Sequence, residues 1–229
     1  LVLIQLGALG FVSILPASMV LLKRRITLRS RTVIQAAFNQ DGVGGMVRLV
    51  KGVFVITLTV EAVGAVLLAI AFYASGGMGP GQALGYGAFH SISAFCNAGF
   101  DIIGTESLTP YRGNLPVNLI IMALIVAGGL GFTVWVELAS VVRNKKRRSL
   151  RLRIKHLSLH SKIVFAVTGT LIVLGTVLYL LFEWTNRETL GPLPFGEKLL
   201  AAMFQSVSMR TAGFNTISQT GLTEISQFI

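Results

Sequence analysis

Two short segments of the 229-residue chain are suited to holding a cation with backbone oxygen atoms. They are Cys96-Asn97-Ala98-Gly99-Phe100 and Thr211-Ala212-Gly213-Phe214. Each segment follows a short apolar stretch and contains a glycine, which lets successive carbonyl groups turn towards one axis. Carbonyl oxygens arranged in this way can replace the hydration shell of an alkali cation. The two segments therefore predict a cation path.

The apolar helix predicted before the first segment is too short to cross a membrane. Residues 82–95 would form about 21 Å of helix, against roughly 30 Å of hydrocarbon. Long apolar stretches flank it, so we expect a re-entrant hairpin in which the helix stops near the midplane and the chain returns as extended backbone. Backbone at that depth must line a water-filled path, because lipid offers no hydrogen-bond partners. The helix would direct the negative end of its dipole at a cation.

Composition predicts an all-α integral membrane protein. Hydrophobic residues make up 53% of the chain and charged residues only 13%, which is far from the balance of a soluble domain. The formal net charge of +11 does not indicate a nucleic-acid partner, because the basic residues lie in the gaps between apolar segments. A single cysteine, Cys96, excludes an intrachain disulfide and a multi-cysteine metal site. We expect no cofactor in this chain.

The order of apolar and polar segments predicts four membrane spans. They are residues 1–22, 52–74, 115–142 and 163–184. The basic connections at residues 23–51 and 143–162 are predicted to be cytoplasmic by the positive-inside rule. Short apolar helices at 82–95 and 198–209 precede residues 96–100 and 210–215, which we call the first turn and the second turn.

The two turns belong to an internal repeat. FHSIS at residues 89–93, followed by AGF, recurs as FQSVS at 204–208, followed by AGF, with one residue fewer between the halves. GALGF at 7–11 likewise recurs as GGLGF at 128–132. A unit of span, re-entrant loop, span and basic connection crosses the membrane twice, so successive units have the same orientation. The repeat therefore predicts span, pore-loop, span units whose loops meet around one axis.

These motifs resemble the Ktr/Trk/HKT superfamily of potassium transporters, and most closely the membrane subunit of bacterial Ktr systems. The matching pieces are LIQLGALGF, FHSISAFCNAGF, AGGLGFTV and RTAGFNT. The resemblance implies four units around a pseudo-fourfold pore. It implies that this chain holds the end of unit one (1–22), all of unit two (52–142) and the start of unit three (163–229), without the first and fourth filter loops. Cys96 departs from the family pattern, in which asparagine is more usual.

The resemblance also implies a function, a filter and partners. The function is uptake of potassium across the plasma membrane by a multi-pass protein surrounded by lipid, with co-transport of sodium left open. The regulatory partner would be a cytoplasmic nucleotide-binding ring, and we expect a homodimer. Backbone carbonyls would bind K+ in a selectivity filter made of Cys96, Asn97, Ala98, Gly99, Phe100, Thr211, Ala212, Gly213 and Phe214.

Other functions fit the residues less well. An ion-coupled secondary transporter also uses re-entrant hairpins, but many such transporters place inverted hairpins on opposite faces, whereas both short helices here follow a basic connection by one span. Neither turn contains the proline of the Asn-Pro-Ala loops expected of an aquaporin-like channel. We predict no enzyme, since the six residues from His90 to Cys96 rotate about 600° along a helix and direct the two side chains to different faces.

Two acids lie within predicted spans. Glu61 is in the second span, where intramembrane acids face the interior of a bundle. We expect it to have a pairing or packing role, and a role as an ion ligand stays open. Glu137 lies near the cytoplasmic end of the third span and is predicted to be a boundary residue.

Overall fold

The computed structural model describes residues 1–8, 46–104, 106–143 and 157–228, and these ranges are helical without strands, as the sequence predicts. Residues 2–8 are helical. The longer helices are α1 (Met46–Ala74), α2 (Pro80–Phe95), α3 (Leu115–Gly129), α4 (Phe132–Arg143), α5 (Leu159–Glu183) and α6 (Phe195–Thr211). Short 3-10 turns at Thr109–Tyr111 and Ser226–Phe228 lie in the loops that follow the first and second turns.

Two helices in the described ranges are long and apolar enough to cross a membrane. They are Gly52–Ala74 within α1, and α5. A third span results if Leu115–Gly129 and Phe132–Val141 are counted together as one broken span. The helix breaks there because Gly131 has a φ of +83°, which cannot continue a right-handed helix. The stretch predicted as one span at 115–142 thus contains two helices.

Several predicted segments lie outside the described residues. Most of the first predicted span and most of the first basic connection fall within residues 9–45. The middle of the second basic connection falls within residues 144–156. These segments remain predictions from the sequence.

The chain divides into two compact units. The first contains residues 1–60 and 130–162, and the second contains residues 61–129 and 163–229. In the first unit, the Glu137 carboxylate accepts hydrogen bonds from the backbone N–H and the hydroxyl of Ser158 and from the hydroxyl of Ser161. A carboxylate at this position stabilises the start of α5, since helix N-termini carry partial positive charge. Glu137 therefore caps a helix in addition to lying near the end of α4.

The second unit contains both turns and a core that supports the second one. Apolar side chains of α5, α6 and the loops on either side of α6 form this core: Tyr179, Leu190, Leu193, Ala201, Ala202, Ile217 and Leu222. On the long helices, by contrast, Val63, Ile70 and Leu181 are more than half exposed. Exposed apolar side chains along a helix of this length are expected where it contacts lipid.

Candidate functional site: two glycine-centred turns

Helix α2 is held against α1 by a serine and two glycines. Ser91 Oγ donates a hydrogen bond to the backbone carbonyl of Glu61 at 2.7 Å. Gly64 leaves room for this hydroxyl, since a Cβ on Gly64 would lie 2.5 Å from Ser91 Oγ. A Cβ on Gly87 would lie 2.5 Å from the carbonyl oxygen of Ala65. Small residues therefore bring the two helices into close contact.

Helix α6 is held against α5 in the same way. Ser206 Oγ donates a hydrogen bond to the carbonyl of Ile172 at 2.9 Å, and a Cβ on Gly175 would overlap this hydroxyl. The acceptor precedes the glycine by three residues in both repeats. The repeat that the sequence shows in the short helices thus extends to the long helices before them.

A second serine in each short helix closes the turn that follows. Ser93 Oγ donates a hydrogen bond to the carbonyl of Phe100 at 2.6 Å, and Ser208 Oγ donates to the carbonyl of Phe214 at 2.5 Å. Both serines are fully buried. Each turn is therefore tied back to its own helix at its last residue.

The two short helices end differently. Helix α2 ends in a Schellman motif, in which Ala98 N–H donates to the carbonyl of Ser93 and Asn97 N–H donates to that of Ala94. Asn97 has a φ of +53°, the left-handed conformation that asparagine tolerates better than most residues. Helix α6 has no residue that corresponds to Asn97. There, the backbone N–H groups of Ala212 and Gly213 both donate to the carbonyl of Ser208. The Schellman motif accounts for the additional residue in the first repeat.

The central glycines share a conformation but not the space around them. Gly99 has a φ of +68° and Gly213 has a φ of +94°, a region that residues with a Cβ rarely adopt. A Cβ on Gly99 would overlap the carbonyl oxygen of Ala212. A Cβ on Gly213 would approach only the Cα of Gly99, at 3.8 Å. Glycine is thus required by conformation at both positions and by close contact at Gly99.

The two turns lie against each other. Thr211 Oγ1 donates a hydrogen bond to Asn97 Oδ1 at 3.0 Å. Just beyond the turns, the backbone N–H of Leu108 donates to the carbonyl of Asn215 at 3.0 Å. Residues 114 positions apart in sequence are therefore neighbours at one place in the second unit.

Several carbonyl groups in the turns accept no hydrogen bond from any residue that the structure describes. Within the described part of the chain, no donor is bonded to the backbone oxygens of Asn97, Ala98, Gly99, Thr211, Ala212 and Gly213. Backbone carbonyls in a membrane protein need a partner, and an unpaired one costs several kcal/mol in lipid. These oxygens are free to contact an ion or water. The carbonyls of Phe100 and Phe214, in contrast, already accept serine hydroxyls.

The structure also shows which candidate residues do not act together. His90 Nδ1 lies 2.7 Å from the carbonyl of Tyr86, and the His90 ring packs 6.2 Å from that of Phe214. Cys96 Sγ instead donates to the carboxylate of Glu61 at 3.6 Å.

The sequence did not assign roles to the four buried serines of α2 and α6. Their recurrence at matching positions in two apolar helices was the signal that could have identified them.

Long apolar helices and short helices that end in glycine-centred turns place the chain among helical membrane proteins. The family model of TrkH, described as a cation transport protein, matches residues 1–229. The chain therefore belongs to the TrkH family of cation transport proteins, which is not a family of enzymes.

Curated relatives agree with this assignment. The chain is 39% identical over 217 residues to Ktr system potassium uptake protein B of Bacillus subtilis, covering 94% of this chain and 45% of the relative. It is 35% identical over 215 residues to potassium/sodium uptake protein NtpJ of Enterococcus hirae, with the same coverage. It is 35% identical over 222 residues to Ktr system potassium uptake protein B of Vibrio alginolyticus, covering 97% and 46%. The chain spans about half the length of these relatives.

Proposed function

We propose that this protein takes up K+ across the plasma membrane and that the two turns form part of its selectivity filter. The observation that carries the proposal is the pair of adjacent turns in which the backbone carbonyl oxygens of residues 97–99 and 211–213 accept no hydrogen bond among the described residues. Such oxygens can replace the hydration shell of K+. The names of the relatives, which are potassium and potassium/sodium uptake proteins, support the same ion.

The proposal divides the candidate filter residues into two roles. The carbonyls of residues 97–99 and 211–213 face the ion, and those of Phe100 and Phe214 hold the turns in place through serine hydroxyls. Cys96 begins the first turn as the C-cap residue of α2. Both short helices direct the negative end of their dipoles at the turns, which favours a cation there.

The test is replacement of Gly99 or Gly213 by serine in the full-length protein. A left-handed conformation costs a residue with a Cβ roughly 1 to 2 kcal/mol, so discrimination of K+ over Na+ should fall about five- to thirty-fold. Uptake of both ions is measured in cells lacking their own uptake systems, together with the amount of protein in the membrane. Gly85→Ser is the matched control, because a Cβ on Gly85 in α2 meets nothing within 4 Å. Unchanged discrimination in both filter variants would refute the proposed filter.

We propose a topology in which the basic connections are cytoplasmic and the loops around the two turns open to the outside. Single cysteines at residues 77 and 149, each in a chain with Cys96→Ser, test it with a reagent that does not cross the membrane. We expect Gly77→Cys to be labelled in intact cells and Ser149→Cys only after permeabilisation. The reverse labelling pattern would show that the protein has the opposite orientation in the membrane.

The proposal extends to sodium and to partners. A relative named for potassium/sodium uptake supports a sodium requirement, which is tested by measuring K+ uptake after external Na+ is replaced by choline. The Ktr system names of two relatives support assembly with further components. We propose a homodimer bound to a cytoplasmic nucleotide-binding ring. Cross-linking in native membranes should give a dimer of the full-length protein, and a solely monomeric product would contradict this.

A further inference from the structure

Glu61 is a buried acid in α1 that contacts the beginning of the first turn. The residue is only 4% exposed. Its carboxylate accepts the hydrogen bond from Cys96 Sγ, while its backbone carbonyl accepts the hydrogen bond from Ser91 Oγ. Glu61 therefore contacts α2 through its backbone and the turn through its side chain.

The equivalent residue in the second repeat is Ile172. Its carbonyl accepts a hydrogen bond from Ser206, so its backbone has the same role as that of Glu61. Its side chain, however, is apolar. Because burial of a carboxylate is costly and an isoleucine fills the equivalent position, helix packing alone does not account for an acid at residue 61.

An ionised carboxylate at residue 61 adds to the field that already acts at the first turn. Cys96, which the carboxylate contacts, is the C-cap residue of α2, and the C-terminus of a helix carries partial negative charge. The free carbonyl dipoles of residues 97–99 follow directly. Charges are weakly screened inside a protein, so a carboxylate there contributes strongly to the affinity for a cation.

We propose that Glu61 is a positioning residue of the cation path, which holds Cys96 in place and raises the affinity of the first turn for K+. This inference rests on the proposed function. It deepens that function, because it assigns part of the affinity to a side chain of a long helix rather than to the backbone of the turns alone.

The test uses the full-length protein with Glu61→Gln, Glu61→Ile and Glu61→Asp. Gln keeps the shape and an acceptor for Cys96, Ile copies the second repeat, and Asp keeps the charge. We expect Gln and Ile to raise the K+ concentration for half-maximal uptake about five-fold at a nearly unchanged maximal rate, the pattern of lost binding. Asp should stay within about two-fold of the wild type. Val63→Ala, at an exposed position of α1, is the control.

Two results would overturn the inference. One is a wild-type K+ affinity in both Glu61→Gln and Glu61→Ile. The other is a lower maximal rate or a smaller amount of protein without any change in affinity, which would indicate a packing role. If Glu61→Ile does not reach the membrane, Glu61→Gln decides. Gly99→Ser is measured in parallel. Normal discrimination of K+ over Na+ in that variant would refute the proposed filter, and not only the proposed role of Glu61.

Discussion

Each repeat closes its turn with a buried serine, but the two repeats anchor the loops beyond the turns with different chemistry. Counting eight residues along the long helix from Gly64 leads to Phe72, and the same count from Gly175 leads to Glu183. Both side chains are fully buried. The position is thus used in both repeats, but with an aromatic ring in one and a carboxylate in the other.

Phe72 anchors the loop after the first turn through aromatic contacts. Its ring lies 5.1 Å from that of Tyr111 in this loop and 5.5 Å from that of His90 in α2. Such edge-on and tilted ring pairs stabilise beyond the area they bury. At the position of Phe72, the loop that follows the first turn is therefore held by apolar packing.

Glu183 anchors the loop after the second turn through hydrogen bonds. Its carboxylate accepts two bonds from Thr223, from the backbone N–H at 2.9 Å and the hydroxyl at 2.7 Å. It also accepts bonds from Asn186 Nδ2 and from the Thr189 hydroxyl. A buried carboxylate is stable only with such partners. The closing serine and the positive φ of the central glycine are thus common to both repeats, whereas each outer loop has its own anchor.

The largest difference between the repeats is expected for Gly99→Ala against Gly213→Ala. Both variants have the cost of a left-handed residue, but only Gly99→Ala also overlaps the Ala212 carbonyl. We expect K+ uptake by full-length protein to fall about ten-fold for Gly213→Ala and about a hundred-fold for Gly99→Ala. Initial uptake rates normalised to membrane protein test this. Equal losses would mean that the turns are not packed as described.

The second largest difference is expected in the loss of stability when the two loop anchors, Glu183 and Phe72, are replaced. Glu183→Gln loses charge-assisted hydrogen bonds and places an amide N–H₂ group where only acceptors fit, which should destabilise the protein by about 2 to 3 kcal/mol. Phe72→Leu keeps an apolar side chain and should cost about 1 kcal/mol. Thermal unfolding of the full-length protein in detergent measures both. A smaller loss for Glu183→Gln than for Phe72→Leu would contradict the anchor assignment.

The closing serines should give equal effects in the two repeats. Ser93→Ala and Ser208→Ala each remove one buried hydrogen bond to a phenylalanine carbonyl, worth about 1 kcal/mol. We expect discrimination of K+ over Na+ to fall roughly five-fold in each variant. Ser140→Ala is the control, because the exposed Ser140 hydroxyl donates a hydrogen bond to the carbonyl of Glu137 within α4. A loss in one variant alone would show that the repeats differ at the turns as well.

The smallest effect is expected for the side-chain bond between the turns. Thr211→Val keeps the shape of the residue but removes the donor to Asn97 at an exposed position, so we expect a loss of about 0.5 kcal/mol. K+ uptake should fall by about two-fold or less. A loss as large as that of Gly213→Ala would instead make this bond a main determinant of the filter.

The sequence predicted the helical class, the two short helices and the glycine-centred turns after them, because each depends on local features. Apolar stretches and helix-ending turns are visible in a few neighbouring residues. The start of α2 at Pro80 and of α6 at Phe195 differs by only two or three residues from the predicted starts. The break between α3 and α4 was not predicted, although Gly129 and Gly131 could have signalled it, because apolar composition is equally compatible with an unbroken helix.

Residue types alone thus determined the membrane class and the internal repeat. Tertiary structure alone decided which distant residues contact each other within the chain. Ser91 bonds to a carbonyl 30 residues away, Thr223 to a carboxylate 40 residues away, and Gly99 packs on Ala212. Periodicity and composition act over a few residues, whereas such contacts depend on how distant segments pack. The contact partners of Glu61 and Glu183 are therefore fixed only by the packing of distant segments.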